Sequence, residues 1–120
     1  LLGLRNVFSG HASPGVDGPE VDVEGTALRL SLPEGPVEFI IQPWRISVQP
    51  DGASSSDNLL DATVRRFSTY GAVARLEADG PLPLTVYMPR GEAADLDLQV
   101  GQTVRLGIPR DAVHVLSADS

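Results

Sequence analysis

An eight-residue pattern that occurs twice constrains this 120-residue chain more than any other feature. Residues 41–48 and residues 108–115 both carry apolar side chains at relative positions 0, 5 and 7. Each copy follows a glycine and alternating apolar residues, and the halves open alike, with residues 6–10 aligning with residues 58–62. Such a repeat predicts two related β units packed together, a construction typical of binding and regulatory modules.

Turn residues and alternating apolar residues predict an all-β fold. The 12 glycines and 10 prolines favour short strands and tight turns over long helices. Alternation predicts about five strands per half, and the alanine and glutamate residues favour one helical turn at residues 91–96. Breaker residues predict a loop at residues 13–19. This arrangement predicts two small OB-like β-barrel units of the TOBE type with one short helix, and a plain β-sandwich is the alternative.

A polar stretch rich in serine predicts the boundary between the two units. We place the first β unit at residues 1–50, a polar linker at 51–57 and the second β unit, TOBE-like, at 58–120. Residues 1–5 are interpreted as a linker from a preceding domain, because the chain opens on an apolar segment without methionine.

Charge and composition argue against several classes of partner. The net charge is −7, and all nine basic residues are arginines. An acidic chain with six aromatic residues and no basic stripe is a poor nucleic-acid binder, so no nucleic acid is expected. Since no apolar run approaches the length of a membrane span, no direct membrane insertion is expected either.

The residues required by common catalytic sites are missing from the sequence. A phosphate-binding loop needs a lysine, and thiol chemistry or thiolate metal sites need cysteine; the chain has neither. His11 and His114 are isolated in sequence and are interpreted as exposed strand residues. We therefore predict no catalytic residues, no metal site and no enzymatic activity in this chain.

Two groups of residues are candidates for binding. Hydroxyl, amide and guanidinium groups donate the hydrogen bonds that an oxyanion needs, and this chain gathers them near the linker. The predicted ligand-binding residues are Ser54, Ser55, Ser56, Asn58 and Arg65. In the competing interpretation, the arginine pairs with an acidic neighbour and the serines are only linker.

The second candidate group is an interface. Trp44, the only tryptophan, follows Pro43 at a point where a strand should be interrupted, so partial exposure at a contact surface is one interpretation and a core position is the other. Leu1, Leu2 and Leu4 form an apolar segment whose packing partner would belong to the preceding domain.

The order of these segments resembles a known family. Residues 2–10 are similar to the Leu-Gly-x-x-Asn-x-Phe-x-Gly stretch that opens the C-terminal regulatory domain of ATP-binding subunits in bacterial ABC importers. Residues 41–46 fall where that family has an Arg-Pro-Glu stretch, and residues 96–115 resemble the closing Leu-x-Leu-x-x-Gly-x-x-Val pattern of the TOBE domain. The ending at residues 108–116 looks most like the molybdate, tungstate and sulfate group.

The resemblance implies paired OB-like barrels that regulate import by sensing substrate or partner proteins, with no catalysis of their own. It implies a homodimer, a preceding ATPase domain that binds ATP and Mg²⁺, membrane permease subunits as partners, and a cytoplasmic location peripheral to the inner membrane. The molybdate-binding version carries Ser-Ala-Arg-Asn before the long strand, whereas this chain has Asp57 in place of the arginine. An aspartate there would repel an oxyanion. A small molybdate- or sulfate-binding domain stays the alternative function.

Overall fold

The structure is a computed structural model that describes residues 6–16, 18–49 and 57–118. These residues form ten β-strands, one 3₁₀ turn and one short α-helix. In chain order the elements are β1 Val7–Gly15, β2 Gly18–Val23, β3 Thr26–Arg29, β4 Gly35–Ile41, the 3₁₀ turn Pro43–Arg45, β5 Ser47–Gln49, β6 Asn58–Tyr70, β7 Val73–Asp79, β8 Pro83–Pro89, α1 Arg90–Leu96, β9 Thr103–Ile108 and β10 Val113–Ala118.

The strands form two five-stranded antiparallel sheets built on one plan. The first sheet has the order β10-β4-β1-β2-β3, and the second has the order β5-β9-β6-β7-β8. Exchanging β1–β5 with β6–β10 converts one order into the other, so the two halves of the chain share one topology. The predicted all-β, OB-like fold with one short helix is confirmed, and the helix lies at the predicted place.

Each sheet takes its outermost strand from the other half of the chain. β5 pairs with β9, where Val48 lies opposite Leu106, and β10 pairs with β4, where Val115 lies opposite Phe39. Each copy of the repeated sequence pattern, residues 41–48 and residues 108–115, therefore contains the segment that crosses to the other sheet and the beginning or whole of the outermost strand there. The division at residues 51–57 stays a prediction, and residues 50–56 lie outside the described residues.

One apolar core lies between the sheets, because each strand turns alternate residues inward. The equivalent residues Phe39 and Leu106, and Ile41 and Ile108, are all fully buried. Burial at matching positions of both copies explains why the apolar spacing of the repeat is the same in each: the same inward-facing sites must be filled twice.

The predicted loop at residues 13–19 is a hairpin instead. Pro14 lies opposite Pro19, and Gly15 lies opposite Gly18, so the β1–β2 ladder continues almost to the chain reversal. Gly18 has φ +117°, a conformation that glycine adopts without steric cost. The glycine and proline residues thus lie near the tip of the hairpin. Pairing between neighbouring strands extends β1 and β2 into residues that have low intrinsic β propensity.

Candidate functional site

Asn58, a predicted ligand residue, is buried and has its side-chain polar atoms bonded to backbone groups. Its Nδ2 donates to the carbonyl oxygens of Arg29 and Ile108, both at 2.9 Å, and its Oδ1 accepts the Arg29 N–H at 2.7 Å. The side chain joins the end of β9 to β3 of the other sheet. Its two N–H donors are therefore engaged inside the fold rather than offered to a ligand.

Asn6 is the pseudo-equivalent residue and makes the matching bonds. Its Nδ2 donates to the carbonyl oxygens of Ile41 at 3.0 Å and Thr85 at 2.8 Å, and its Oδ1 accepts the Thr85 N–H at 2.7 Å. Each asparagine therefore joins the last residue of the fourth strand of its own copy to the third strand of the other. Sequence reasoning aligned Asn6 with Asn58 but assigned a role only to Asn58.

Asp57 closes the turn between β9 and β10. Its Oδ2 accepts the Arg110 N–H at 2.9 Å, and its Oδ1 accepts a bond from the Arg110 guanidinium at 3.4 Å. The backbone hydrogen bond, assisted by the guanidinium charge, holds the pKa of Asp57 below its usual value. A charged carboxylate thus lies beside Asn58 and is hydrogen-bonded to Arg110.

Arg65 lies at a β-bulge that directs two arginines toward one carboxylate. The register between β6 and β7 shifts between Val64 and Arg66, so that Arg65 is the extra residue of β6. Arg65 Nη2 lies 3.2 Å from Glu77 Oε1, and Arg66 Nε lies 3.8 Å from Glu77 Oε2. The Arg65 Nε also bonds Asp79 at 3.2 Å.

Arg75 completes this cluster around Glu77. Its Nη2 lies 3.8 Å from Glu77 Oε2 and donates to the Tyr70 hydroxyl at 3.0 Å, while the guanidinium stacks 5.0 Å from the centre of the Tyr70 ring. Glu77 is only 7% exposed, so three guanidinium groups surround a nearly buried carboxylate. We define Arg65, Arg66, Arg75 and Glu77 as the arginine cluster. The sequence signal for it was the adjacent arginine pair in a strand, but the acidic partner was not identified.

The structure does not bring Asn58 and Arg65 together within one chain. They are seven residues apart on the single strand β6, which corresponds to about 23 Å at the usual rise per residue. Ser54, Ser55 and Ser56 lie outside the described residues, so the predicted serine site stays a prediction.

Trp44 is on the surface, with 64% of its area exposed. It lies in the 3₁₀ turn and borders an open groove of about 310 Å³ that is otherwise lined by Ala72, Val73, Tyr87, Met88 and Pro89. We call this depression the Trp44 groove. Trp44 is therefore not a core residue, and its role in an interface stays a prediction. Leu1, Leu2 and Leu4 lie outside the described residues.

The described residues contain neither a metal-binding cluster nor a membrane-spanning helix. Over residues 6–16, 18–49 and 57–118, no group of three or more His, Asp or Glu side chains is placed to hold a metal ion. The same residues contain no helix of the length and hydropathy that crossing a bilayer requires.

The paired OB-like sheets and the closing sequence pattern define a protein class. The chain belongs to the TOBE domain family, whose profile matches residues 39–116.

A solved structure is similar to this chain over both repeat units. The chain is similar to the cytoplasmic molybdate-binding protein ModG, determined with molybdate bound, with a TM-score of 0.71 and 23% sequence identity. The match covers 95% of this chain and 96% of that one, which shows a shared fold. No curated protein matches the sequence significantly.

Proposed function

We propose that this chain is the C-terminal regulatory and dimerisation domain of an ABC importer's ATP-binding subunit. The observation that supports this most is that polar side chains at the start of the second unit form hydrogen bonds within the TOBE fold. Asn58 donates hydrogen bonds to Arg29 and Ile108, and Asp57 accepts one from Arg110. The donors of Asn58 are therefore engaged within the protein and are not available to bind an anion. We therefore infer that the remaining surface contacts other proteins.

In this proposal the catalytic chemistry belongs to another domain. ATP and Mg²⁺ would bind to the preceding domain, since a phosphate-binding loop requires a lysine and this chain has none. The two repeat units of this chain would form one rigid body, and this body would pair with a second subunit at the cytoplasmic side of the membrane. Regulation requires that this pairing favour one of two arrangements of the ATPase dimer.

The test is to compare ATP hydrolysis by the full gene product with and without residues 6–118, over a panel of candidate transport substrates. We expect the truncated protein to hydrolyse ATP but to lose its response to substrate. A matched control carries Val100→Ala, which changes an exposed side chain away from the asparagine links. Identical responses in all three proteins would reject a regulatory role, as would a gene product without an ATPase domain.

A second candidate, oxyanion binding, is favoured by the likeness to ModG over nearly the whole chain. The arginine cluster adds a local excess of positive charge to an acidic protein, although Glu77 and Asp79 neutralise part of it. Calorimetry of the chain with molybdate and with sulfate separates the two functions. Saturable heat that Arg65→Ala diminishes supports an oxyanion site, and absence of heat at millimolar anion favours the contact module.

A further inference from the structure

The arginine cluster holds more positive than negative charge. Elsewhere in the fold, Arg45 meets Asp111 as a one-to-one pair at 2.8 Å. In the cluster, three guanidinium groups lie around Glu77, and among the described residues Asp79 is the one further carboxylate in contact with them. One positive charge is therefore left uncompensated at this place, in a chain whose net charge is −7.

The bulge in β6 places two of these guanidinium groups side by side. On a regular strand, Arg65 and Arg66 would project to opposite faces of the sheet. Because Arg65 is the extra residue of the bulge, both side chains reach one carboxylate, at 3.2 Å and 3.8 Å from the oxygens of Glu77. Two guanidinium groups carry about ten N–H donors and a carboxylate about four acceptor sites, so donors are in excess.

The unused donors belong mainly to Arg66, whose side chain is 63% exposed. Its Nε lies 3.8 Å from Glu77 Oε2, which is an ion-pair distance but too long for a hydrogen bond. Within the part of the chain that the structure describes, Arg66 makes no other polar contact. Arg65 is held by bonds from its Nε and Nη2, which leaves its Nη1 to donate. The pair thus offers donors whose position is fixed from below by Glu77.

We propose that the bulge binds a tetrahedral dianionic group, which accepts hydrogen bonds from the Arg66 guanidinium and from Nη1 of Arg65. A guanidinium suits such a group because its parallel N–H donors match two oxygens of one anion. Since Arg66 lies on an open strand face, the remaining oxygens of the ligand, or a substituent on one of them, project into solvent. The site therefore selects by charge rather than by size, and takes inorganic sulfate or a phosphate ester.

This inference rests on the oxyanion-binding candidate above, to which it gives a location and a ligand class. The location is not the one that the family resemblance implies. The residues that resemble the molybdate-binding version, Asp57 and Asn58, lie before and at the start of β6, whereas the bulge lies in the second half of that strand.

Nuclear magnetic resonance of the arginine Nε–H groups observes the proposed donors directly. The probes are sulfate, glycerol phosphate and perchlorate, added to the chain at low salt and at about pH 7.5, where a phosphate ester is a dianion. We expect sulfate and glycerol phosphate to shift the signals of Arg65 and Arg66 saturably. Perchlorate is tetrahedral but carries a single charge, and should bind about fivefold more weakly, as the loss of one exposed charge pair would produce.

Variants make this test specific. Arg66→Ala should abolish saturable binding, and Arg66→Lys, which keeps the charge but not the planar fork, should weaken it. Arg45→Ala is the matched control, because it removes the same charge from an arginine outside the cluster and should leave binding unchanged. Binding that survives Arg66→Ala, equal affinity for perchlorate and the dianions, equal weakening by Arg45→Ala, or shifts that grow with salt without saturating would overturn the proposal.

The two sources of the dianion have their own outcomes. Similar affinity for sulfate and glycerol phosphate supports an open site that takes either; binding of sulfate alone would assign the site to a free anion, and binding of glycerol phosphate alone to an ester. If molybdate and sulfate still give saturable heat with Arg66→Ala, the chain binds oxyanions elsewhere and this site alone is rejected. The regulatory role is measured separately through ATP hydrolysis, so either proposal can fail alone.

Discussion

The side-chain amide of Asn6 pairs with the backbone of Thr85 in the way that a neighbouring β-strand would. It accepts the Thr85 N–H at 2.7 Å and donates to the Thr85 carbonyl oxygen at 2.8 Å. Thr85 belongs to β8, the edge strand of the other sheet. Asn58 does the same for Arg29 on β3. Each edge is thereby closed at one point by a side chain from the opposite copy, which links the sheets and protects the edge from other strands.

Replacing either asparagine should destabilise the fold strongly. Asn58→Ala leaves one N–H and two carbonyl groups without their partner, and we expect a loss of about 2–4 kcal/mol in the free energy of unfolding. Asn6→Ala should cost about 1–2 kcal/mol more, because residue 6 has φ +56°, which alanine adopts with strain. Urea denaturation measures both, with Ser9→Ala as an exposed control on β1. Losses no larger than that of the control would contradict the linking role.

The Asp57–Arg110 contact predicts a pH-dependent stability. Since the pKa of Asp57 is lowered in the folded protein, its contribution is complete above about pH 4 and is lost as the pH falls through the lower, folded-state pKa. Asp57→Asn should therefore be less stable than the wild type at pH 7, and the difference should shrink toward pH 3. Denaturation midpoints recorded across this range check it; a difference that is constant with pH would show that the carboxylate charge is not responsible.

The arginine cluster predicts opposite effects on stability and on anion binding. Glu77→Gln removes the charge that three guanidinium groups share, and should destabilise the fold by about 1–2 kcal/mol. Arg66→Ala should cost less than about 0.5 kcal/mol, because Arg66 is largely exposed. Glu77→Gln should also raise the affinity for sulfate, measured by calorimetry at low salt. Unchanged sulfate affinity would show that the carboxylate does not compete with anions there.

Close strand packing leaves no room for a side chain at Gly10. A Cβ at Gly10 would lie 2.7 Å from the backbone oxygen of Asp22, whereas a Cβ at Gly91 meets nothing within 4 Å. We expect Gly10→Ala to destabilise the protein by about 1–3 kcal/mol and Gly91→Ala, in α1, to be neutral or to stabilise it by up to about 1 kcal/mol. Thermal denaturation of the pair provides the comparison. Equal melting temperatures would mean that β2 moves aside without cost.

Sequence patterns predicted the parts of this protein that depend on local rules. Alternation predicted about five strands in each half, since each strand places every second side chain in the core. The duplication was visible because the same buried sites, such as Phe39 and Leu106, recur in both copies. The short helix was predicted from alanine and glutamate propensities.

The candidate site was predicted less well, because its chemistry depends on partners distant in sequence. Asn58 is suited to binding by residue type, but its bonds reach Arg29 and Ile108, 29 and 50 residues away. Glu77 looks like an ordinary exposed strand residue until the bulge brings Arg65 and Arg66 to it. The Trp44 groove likewise forms only when the 3₁₀ turn lies against β8.

The sequence by itself determined the β character, the duplicated plan and the inward-facing residues, because these follow from side-chain periodicity along a strand. Only the tertiary structure decided which half completes which sheet, and whether a given polar side chain is engaged or available. Hydrogen bonds and ion pairs need two groups within about 3–4 Å, and for Asn6, Asp57 and Glu77 that proximity is created by strands from different parts of the chain.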